Sequence, residues 1–182
     1  MTPLLLLMLA APPQPVNLAF EDQFDRKPDL ASVRGGVVVL VYGDRKGMDA
    51  CKKLGEELHV TFHPAAKGLT PAKAREQAVV PLAGAKASPD VSVIPVACCG
   101  KIPSLVRPIL RGQFKKGAPE VPVWLDFDET MVKHFGMTEA APNVAVFDAL
   151  GQFRHKSHGK PGEKETAALI QLIQNLRGEA AK

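Results

Sequence analysis

Residues 36–58 leave the chain few folds to choose from: Gly-Val-Val-Val-Leu-Val-Tyr-Gly-Asp-Arg-Lys-Gly-Met-Asp-Ala-Cys-Lys-Lys-Leu-Gly-Glu-Glu-Leu. Val37 to Tyr42 is a continuous apolar run, rich in β-branched residues, which reads as a strand buried on both faces. Gly43-Asp44-Arg45-Lys46-Gly47 is a polar turn with a glycine at each end. Met48, Cys51, Leu54 and Leu58 then recur at helical spacing between charged residues, the pattern of a half-buried helix. A buried strand feeding straight into a helix is the first half of a βαβ unit. In such units chemistry gathers at the strand's carboxyl end, where the helix points its free N–H groups. Function is therefore expected around residues 43–51.

At 182 residues the chain suits one domain with a core large enough to fold unaided. Its 46% apolar and 23% charged content is ordinary for a globular protein. The net charge of +4 is spread out, and aromatics make up only 5% of residues, which argues against a nucleic-acid partner. No apolar stretch reaches the ~20 residues of a membrane-spanning helix.

The first residues resemble an export signal: Leu4 to Leu9 supply an apolar run and Ala10-Ala11 a cleavage region. The run lacks a preceding Lys or Arg, and prolines follow it. Residues 1–16 are expected to be a signal or leader, with a frayed or membrane-tethered terminus as the plainer reading. A membrane is expected to be met only through this leader. If it is a signal, the protein is exported, periplasmic or extracellular, and disulfides are permitted; without one it is cytoplasmic. The three cysteines, Cys51, Cys98 and Cys99, are an odd count and make no disulfide framework. There is no Cys-x-x-Cys, and His59, His63, His134, His155 and His158 do not pair with cysteines at ligand spacing. Neither metal nor cofactor is expected. His155 and His158 could share a surface metal, but a solvated strand end explains them better.

Along the rest of the chain, residues 17–26 read as a short strand or an arm over the core. The helix after the turn is expected to end near Leu58. Residues 59–90 read as an insertion, with Thr70-Pro71 opening a short helix. Strands follow over Asp90–Ala97 and Val121–Asp126, and again over Ala141–Asp148 and Gln152–Ser157. Helices are expected from about Val106 to Gly117, Glu129 to Phe135 and Glu163 to Arg177. Pro95 argues that its strand lacks a full ladder on one side. The order β-α-(insert)-β-α-β-α-β-β-α implies a mixed sheet between helices, with residues 17–178 as the domain and 179–182 as a tail.

Several residues carry the resemblance that follows: Val123-Trp-Leu-Asp126, Lys133-His-Phe-Gly136 and Ala141-Pro142-Asn-Val-Ala-Val-Phe-Asp148-Ala-Leu-Gly151. With the strand-turn-helix of residues 36–58, they resemble the thioredoxin-like superfamily, in its redoxin and peroxiredoxin-like branch. Among exported members the chain looks nearest to YtfJ-type periplasmic proteins, which share a similar glycine- and arginine-containing loop without Cys-x-x-Cys. The resemblance implies an α/β thioredoxin-like fold, a central mixed β-sheet flanked by helices on both faces. It also implies an active-site rim of Asp44, Arg45, Lys46, Gly47, Met48, Asp49 and Pro142. Pro142 matches the family's proline, usually cis and facing the site. Lys46-Gly47-Met48-Asp49 stands where the family carries its dithiol, and neither end is cysteine. Dithiol exchange needs a thiol activated at the helix tip and a second thiol to resolve the mixed disulfide.

The implied function is an exported thioredoxin-fold protein without a dithiol site, a binding or accessory module for an unknown protein. The alternative is a thiol enzyme using Cys51 with Cys98 or Cys99 on a small thiol, disulfide or peroxide. Arg45 and Lys46 would favour a Cys51 thiolate. Against that, Cys51 lies on the Met48–Leu54–Leu58 face as a small hydrophobe, and Met48 stands where a peroxiredoxin has threonine. The vicinal Cys98-Cys99 pair reads first as two small residues at a strand end, and otherwise as a soft-metal or thiol-exchange site. Asp44 to Gly47 could hold an anion, though a solvated turn is favoured. Trp124 and Phe127 are expected in the core, and Asp126 and Asp128 at a wet strand end.

Overall fold

The computed structural model describes residues 14–182. Most of the expected leader lies outside the described residues, although Val16 belongs to the folded body: its N–H donates to Gly151 O at 2.9 Å. Among the described residues, no helix is long and apolar enough to cross a membrane.

The strand predicted at residues 37–42 is β2, Val37–Gly43, and every residue in it is buried. Among the described residues it lies inside a six-stranded sheet. The strands are β1 (Glu21–Asp22), β2, β3 (Val91–Cys98), β4 (Trp124–Asp126), β5 (Asn143–Phe147) and β6 (Phe153–His158). Their spatial order is β1-β4-β3-β2-β5-β6. β2, β3 and β4 run parallel, while β1, β5 and β6 pair antiparallel. The helices are α1 (Met48–Phe62), α2 (Pro71–Arg75), α3 (Arg107–Gly117), α4 (Thr130–Phe135) and α5 (Glu163–Ala180).

Alternation along β2 sorts the core into two faces. Val37, Val39 and Val41 meet Cys51, Leu54, Leu58 and Phe62 of α1 and Leu169, Ile173 and Leu176 of α5. Val38, Leu40 and Tyr42 meet the arm residues Leu18, Phe20 and Leu30 and Met131 and Phe135 of α4. A smaller cluster of Ala97, Val123, Leu125 and Phe127 takes Leu110 and Phe114 of α3. Helices thus cover both faces of the mixed sheet, as the resemblance implied.

Three elements differ from the expected bounds. α1 runs a turn past Leu58 because Phe62 continues the buried stripe, and its burial outweighs the β-branched Val60 and Thr61. β4 starts at Trp124, not Val121. The preceding backbone bonds the Gln23 side chain instead of a ladder: Gln23 Nε2 donates to Ala118 O and Val121 O, and its Oε1 accepts from Val123 N. Helix α5 extends past Arg177, which is fully buried. Pro95 behaves as expected, since the β4 ladder begins at Val96, the next residue.

Arg177 ties residues 64–90, between α1 and β3, to the body. Its Nε donates to Pro89 O at 2.9 Å and its Nη2 to Val80 O at 2.7 Å. Arg177→Met is expected to leave both carbonyls unpaired and cost about 2–4 kcal/mol in urea unfolding. A midpoint equal to wild type would contradict that role.

His63 closes the same seam. It is 3% exposed, and its Nε2 stands 3.0 Å from Asp90 Oδ1. Its ring stacks on His59, and its Nδ1 is buried without a partner. Burial, with the nearby His59 and Arg177, holds its pKa below the usual histidine value against the pull of Asp90. As pH falls below about 6.5, the unfolded chain takes up the proton more readily, so stability falls. The thermal midpoint of wild type is expected to drop between neutral and mildly acid pH more steeply than that of His63→Gln.

Candidate functional site

The parallel strands β2, β3 and β4 end together at one edge of the sheet, at Gly43, Cys98 and Asp126. Helix α1 starts from this edge with Gly47 as its N-cap. Two glycines let a second loop close on the tip. A Cβ on Gly43 would meet Cys51 Sγ at 2.7 Å, and one on Gly47 would meet Ala141 N and O at 2.8 Å. Ala141, in the loop of residues 136–142, therefore lies directly against the start of α1.

Asp44 joins the two pieces. Its Oδ1 accepts from Gly47 N at 2.8 Å and its Oδ2 from Ala140 N at 3.0 Å. Ala140 sits in the left-handed region at φ 56, a strained position for a residue with a Cβ. Burial works to raise the Asp44 pKa, but N–H donation from Ala140, Gly47 and Lys46 and the Lys46 charge hold it below the usual carboxylate range. The anion-attracting N–H at the tip is thus occupied by the chain's own carboxylate. Arg45, Lys46 and Asp49 are exposed, and Met48 turns half-buried toward the α3 side.

Pro142 lies on this rim, but its peptide bond is trans, contrary to the cis bond that the resemblance implied. The loop turns instead through left-handed Gly136 and Ala140. The fully buried Asn143 amide then fastens it: Nδ2 donates to Thr138 O and Ala141 O, and Oδ1 accepts from Thr138 N. His158 Nδ1 also donates to that Oδ1 at 3.0 Å. With the reversal made this way, the ordinary trans bond suffices.

The three cysteines are free. Cys51 is the fourth residue of α1 and 5% exposed, its N–H donating to Gly47 O. Burial pushes its thiol up to about 11; the Asp44 charge adds to this, while the Asn143 N–H and its own N–H oppose it. Arg45 and Lys46, expected to favour the thiolate, are exposed, and the charge acting on the thiol is that of Asp44. Cys98 and Cys99 are half-buried. Burial and the Asp126 charge raise both, Cys99 to about 12. Cys98 packs with the Tyr42 cluster and Cys99 with the Ala97–Leu125 cluster, so the two thiols serve different sides of the sheet. The rim does bring Cys98 near enough to Cys51 and Asp44 for both to raise its pKa.

Asp126 is 1% exposed and not wet. Its carboxylate accepts from Thr130 N at 2.9 Å and Met131 N at 2.8 Å, capping α4. Asp128 is the exposed member and pairs with Arg107. Trp124 and Phe127 are core residues, as expected. Beside them is an open hollow of about 350 Å³ lined by Lys101, Ile102, Pro103, Phe127, Asp128 and Lys133. Among the described residues, no group of three or more His, Cys, Asp or Glu side chains is placed to hold a metal. Tyr42 and Asn143 were missed as rim residues. Tyr42 looked like plain core, yet its hydroxyl donates to Gly136 O at 2.8 Å and burial raises its pKa.

Asp44→Asn is expected to loosen residues 136–142 and cost about 1 kcal/mol near neutral pH. The difference shrinks in acid, because a carboxylate with a depressed pKa contributes stability above its unfolded pKa and loses it as pH falls. Faster amide exchange at Gly47 and Ala140 would report it; unchanged exchange would remove Asp44 as the tie.

No family profile and no curated protein matches the sequence. Solved structures do. The chain is similar to the exposed lipoprotein thioredoxin Etrx1 of Streptococcus pneumoniae strain TIGR4, at TM-score 0.54 and 16% identity, covering 88% of this chain and 99% of that one. It is similar to a secreted thiol-disulfide isomerase of Corynebacterium glutamicum, at TM-score 0.55 and 12% identity, covering 91% and 86%. It is similar also to a DsbF homologue of Corynebacterium diphtheriae, at TM-score 0.53 and 13% identity, covering 89% and 85%. Identities this low speak for architecture, and with the sheet order and the strand-to-helix rim they make this chain a thioredoxin-like fold.

Proposed function

We propose that the chain is an exported thioredoxin-fold protein that performs no dithiol exchange and acts as a binding or accessory module for a protein partner. One observation carries this reading. The helix tip that would activate a thiol holds the Asp44 carboxylate on its N–H, and the nearby Cys51 is buried with its pKa pushed up to about 11. At neutral pH such a thiol is thiolate about one part in ten thousand. The exposed Arg45, Lys46 and Asp49 beside the pinned loop form the surface offered to a partner. Export is supported by the apolar leader and by the descriptions of two neighbours, one as exposed and one as secreted.

A second reading keeps a peroxide or disulfide reductase that uses Cys51 with Cys98 or Cys99. It rests on the coupling of the Cys98 thiol to Cys51 across the rim. Turnover assays separate the two. With dithiothreitol as electron donor, the protein is expected to reduce insulin disulfides or peroxide no faster than buffer. Cys51 is expected to resist iodoacetamide until the chain unfolds. Turnover that disappears in Cys51→Ser would establish the second reading instead.

A further inference from the structure

Residues 64–90 cross from the end of α1 to the start of β3 with little apolar hold. Within the segment only Ala66 is buried, and α2 buries no residue. Val79 leans half-buried on the core under α1 and α5. Polar ties supply the remaining attachment. His59 Nε2 donates to Ala74 O at 3.0 Å, and Val80 N donates to Phe62 O at 2.7 Å. His63 Nε2 meets Asp90 Oδ1, Arg177 donates to Pro89 O and Val80 O, and Ala72 N donates to Glu120 Oε2 at 3.3 Å. A segment with few buried apolar contacts opens more readily than the sheet it lies on.

The groups that face His63 are His59 from its own helix, Arg177 from α5 and Asp90 from the end of the segment. With Nε2–H turned to Asp90, the neutral ring keeps its lone pair on Nδ1, which is buried with no partner among the described residues. A second proton has to go there. It makes a buried N–H without an acceptor, on a ring stacked 4.5 Å from His59 and near the fully buried Arg177. Asp90 draws the proton the other way, but its side chain is 63% exposed, and water weakens that pull. The closed seam therefore rejects a proton that the opened seam accepts.

We propose that residues 64–90 are an acid-released clasp: a proton taken up by His63 detaches the segment from α1 and α5 while the sheet stays folded. Opening takes Val79 off the core and parts Arg177 from the Pro89 and Val80 carbonyls. The opened form binds the proton near the ordinary histidine value of about 6.5, and the closed form only below it. The clasp is thus shut above that pH, and its opening constant grows up to about tenfold for each unit below. This device is independent of what the rim binds.

Amide hydrogen exchange of the full chain tests this at Val80, whose N–H spans the seam, after correction for the intrinsic pH dependence of exchange. Val80 protection is expected to fall about fivefold to tenfold from about pH 7 to about pH 5.5. His63→Gln is expected to remove most of that fall, because glutamine donates to Asp90 and takes up no proton. In urea below the unfolding transition, Val80 exchange is expected to change little while that of Val39 and Leu40 in β2 accelerates, since a local opening exposes little surface. Unchanged Val80 protection across this pH range overturns the proposal, as does a fall that persists undiminished in His63→Gln. Val80 exchange as steep in urea as that of β2 means global unfolding and overturns it equally; that measurement needs wild type alone.

Discussion

Burial of β2 on every side is the constraint from which the other elements take their places. Val37 to Val41 have no more than 1% of their surface exposed, and β3 and β5 bond the strand on its two edges. A strand so placed has no polar face to offer, so both faces need cover. The chain supplies α1 and α5 on one and the arm with α4 on the other. The parallel pairing that brings β3 and β4 alongside also fixes where their carboxyl ends emerge. The rim is a product of core packing before it is a site.

The charges at that rim run against nucleophilic sulfur. A thiol is activated by cations and by helix N–H groups that favour its charged form. Here two carboxylates take those positions: Asp44 holds the start of α1, and Asp126 holds the start of α4. Each satisfies backbone donors, and each adds negative charge beside a cysteine. Burial does most to raise these thiols, and the two carboxylates that order the loops push in the same direction.

Local pattern made β2 and α1 legible from sequence, because apolar runs and 3.6-residue spacing are properties of adjacent residues. The helix over residues 107–117 and the hairpin of β5 and β6 were legible for the same reason. Long-range partners were not. Gln23 bonds backbone about a hundred positions away, which shortens β4. Asp126 looked like a wet strand end because nothing in Trp-Leu-Asp-Phe-Asp says which acid turns inward to cap a helix. Asn143 follows a proline and read as one residue of a strand over Ala141–Asp148; its amide in fact fastens the loop over α1. The cis bond came from the resemblance, and this chain makes its turn at Gly136 and Ala140 instead.

The arm ahead of β2 has a consequence for truncation. Leu18, Phe20 and Leu30 roof the second core, and the chain is hydrogen-bonded from Val16 onward, with Leu30 N donating to Leu18 O and Phe20 N to Pro28 O. Loss of Val16 and the residues after it would break these bonds and unroof Val38, Leu40 and Tyr42. Hydrophobic cover thus sets how far the amino end of the chain can be shortened before the second core meets water.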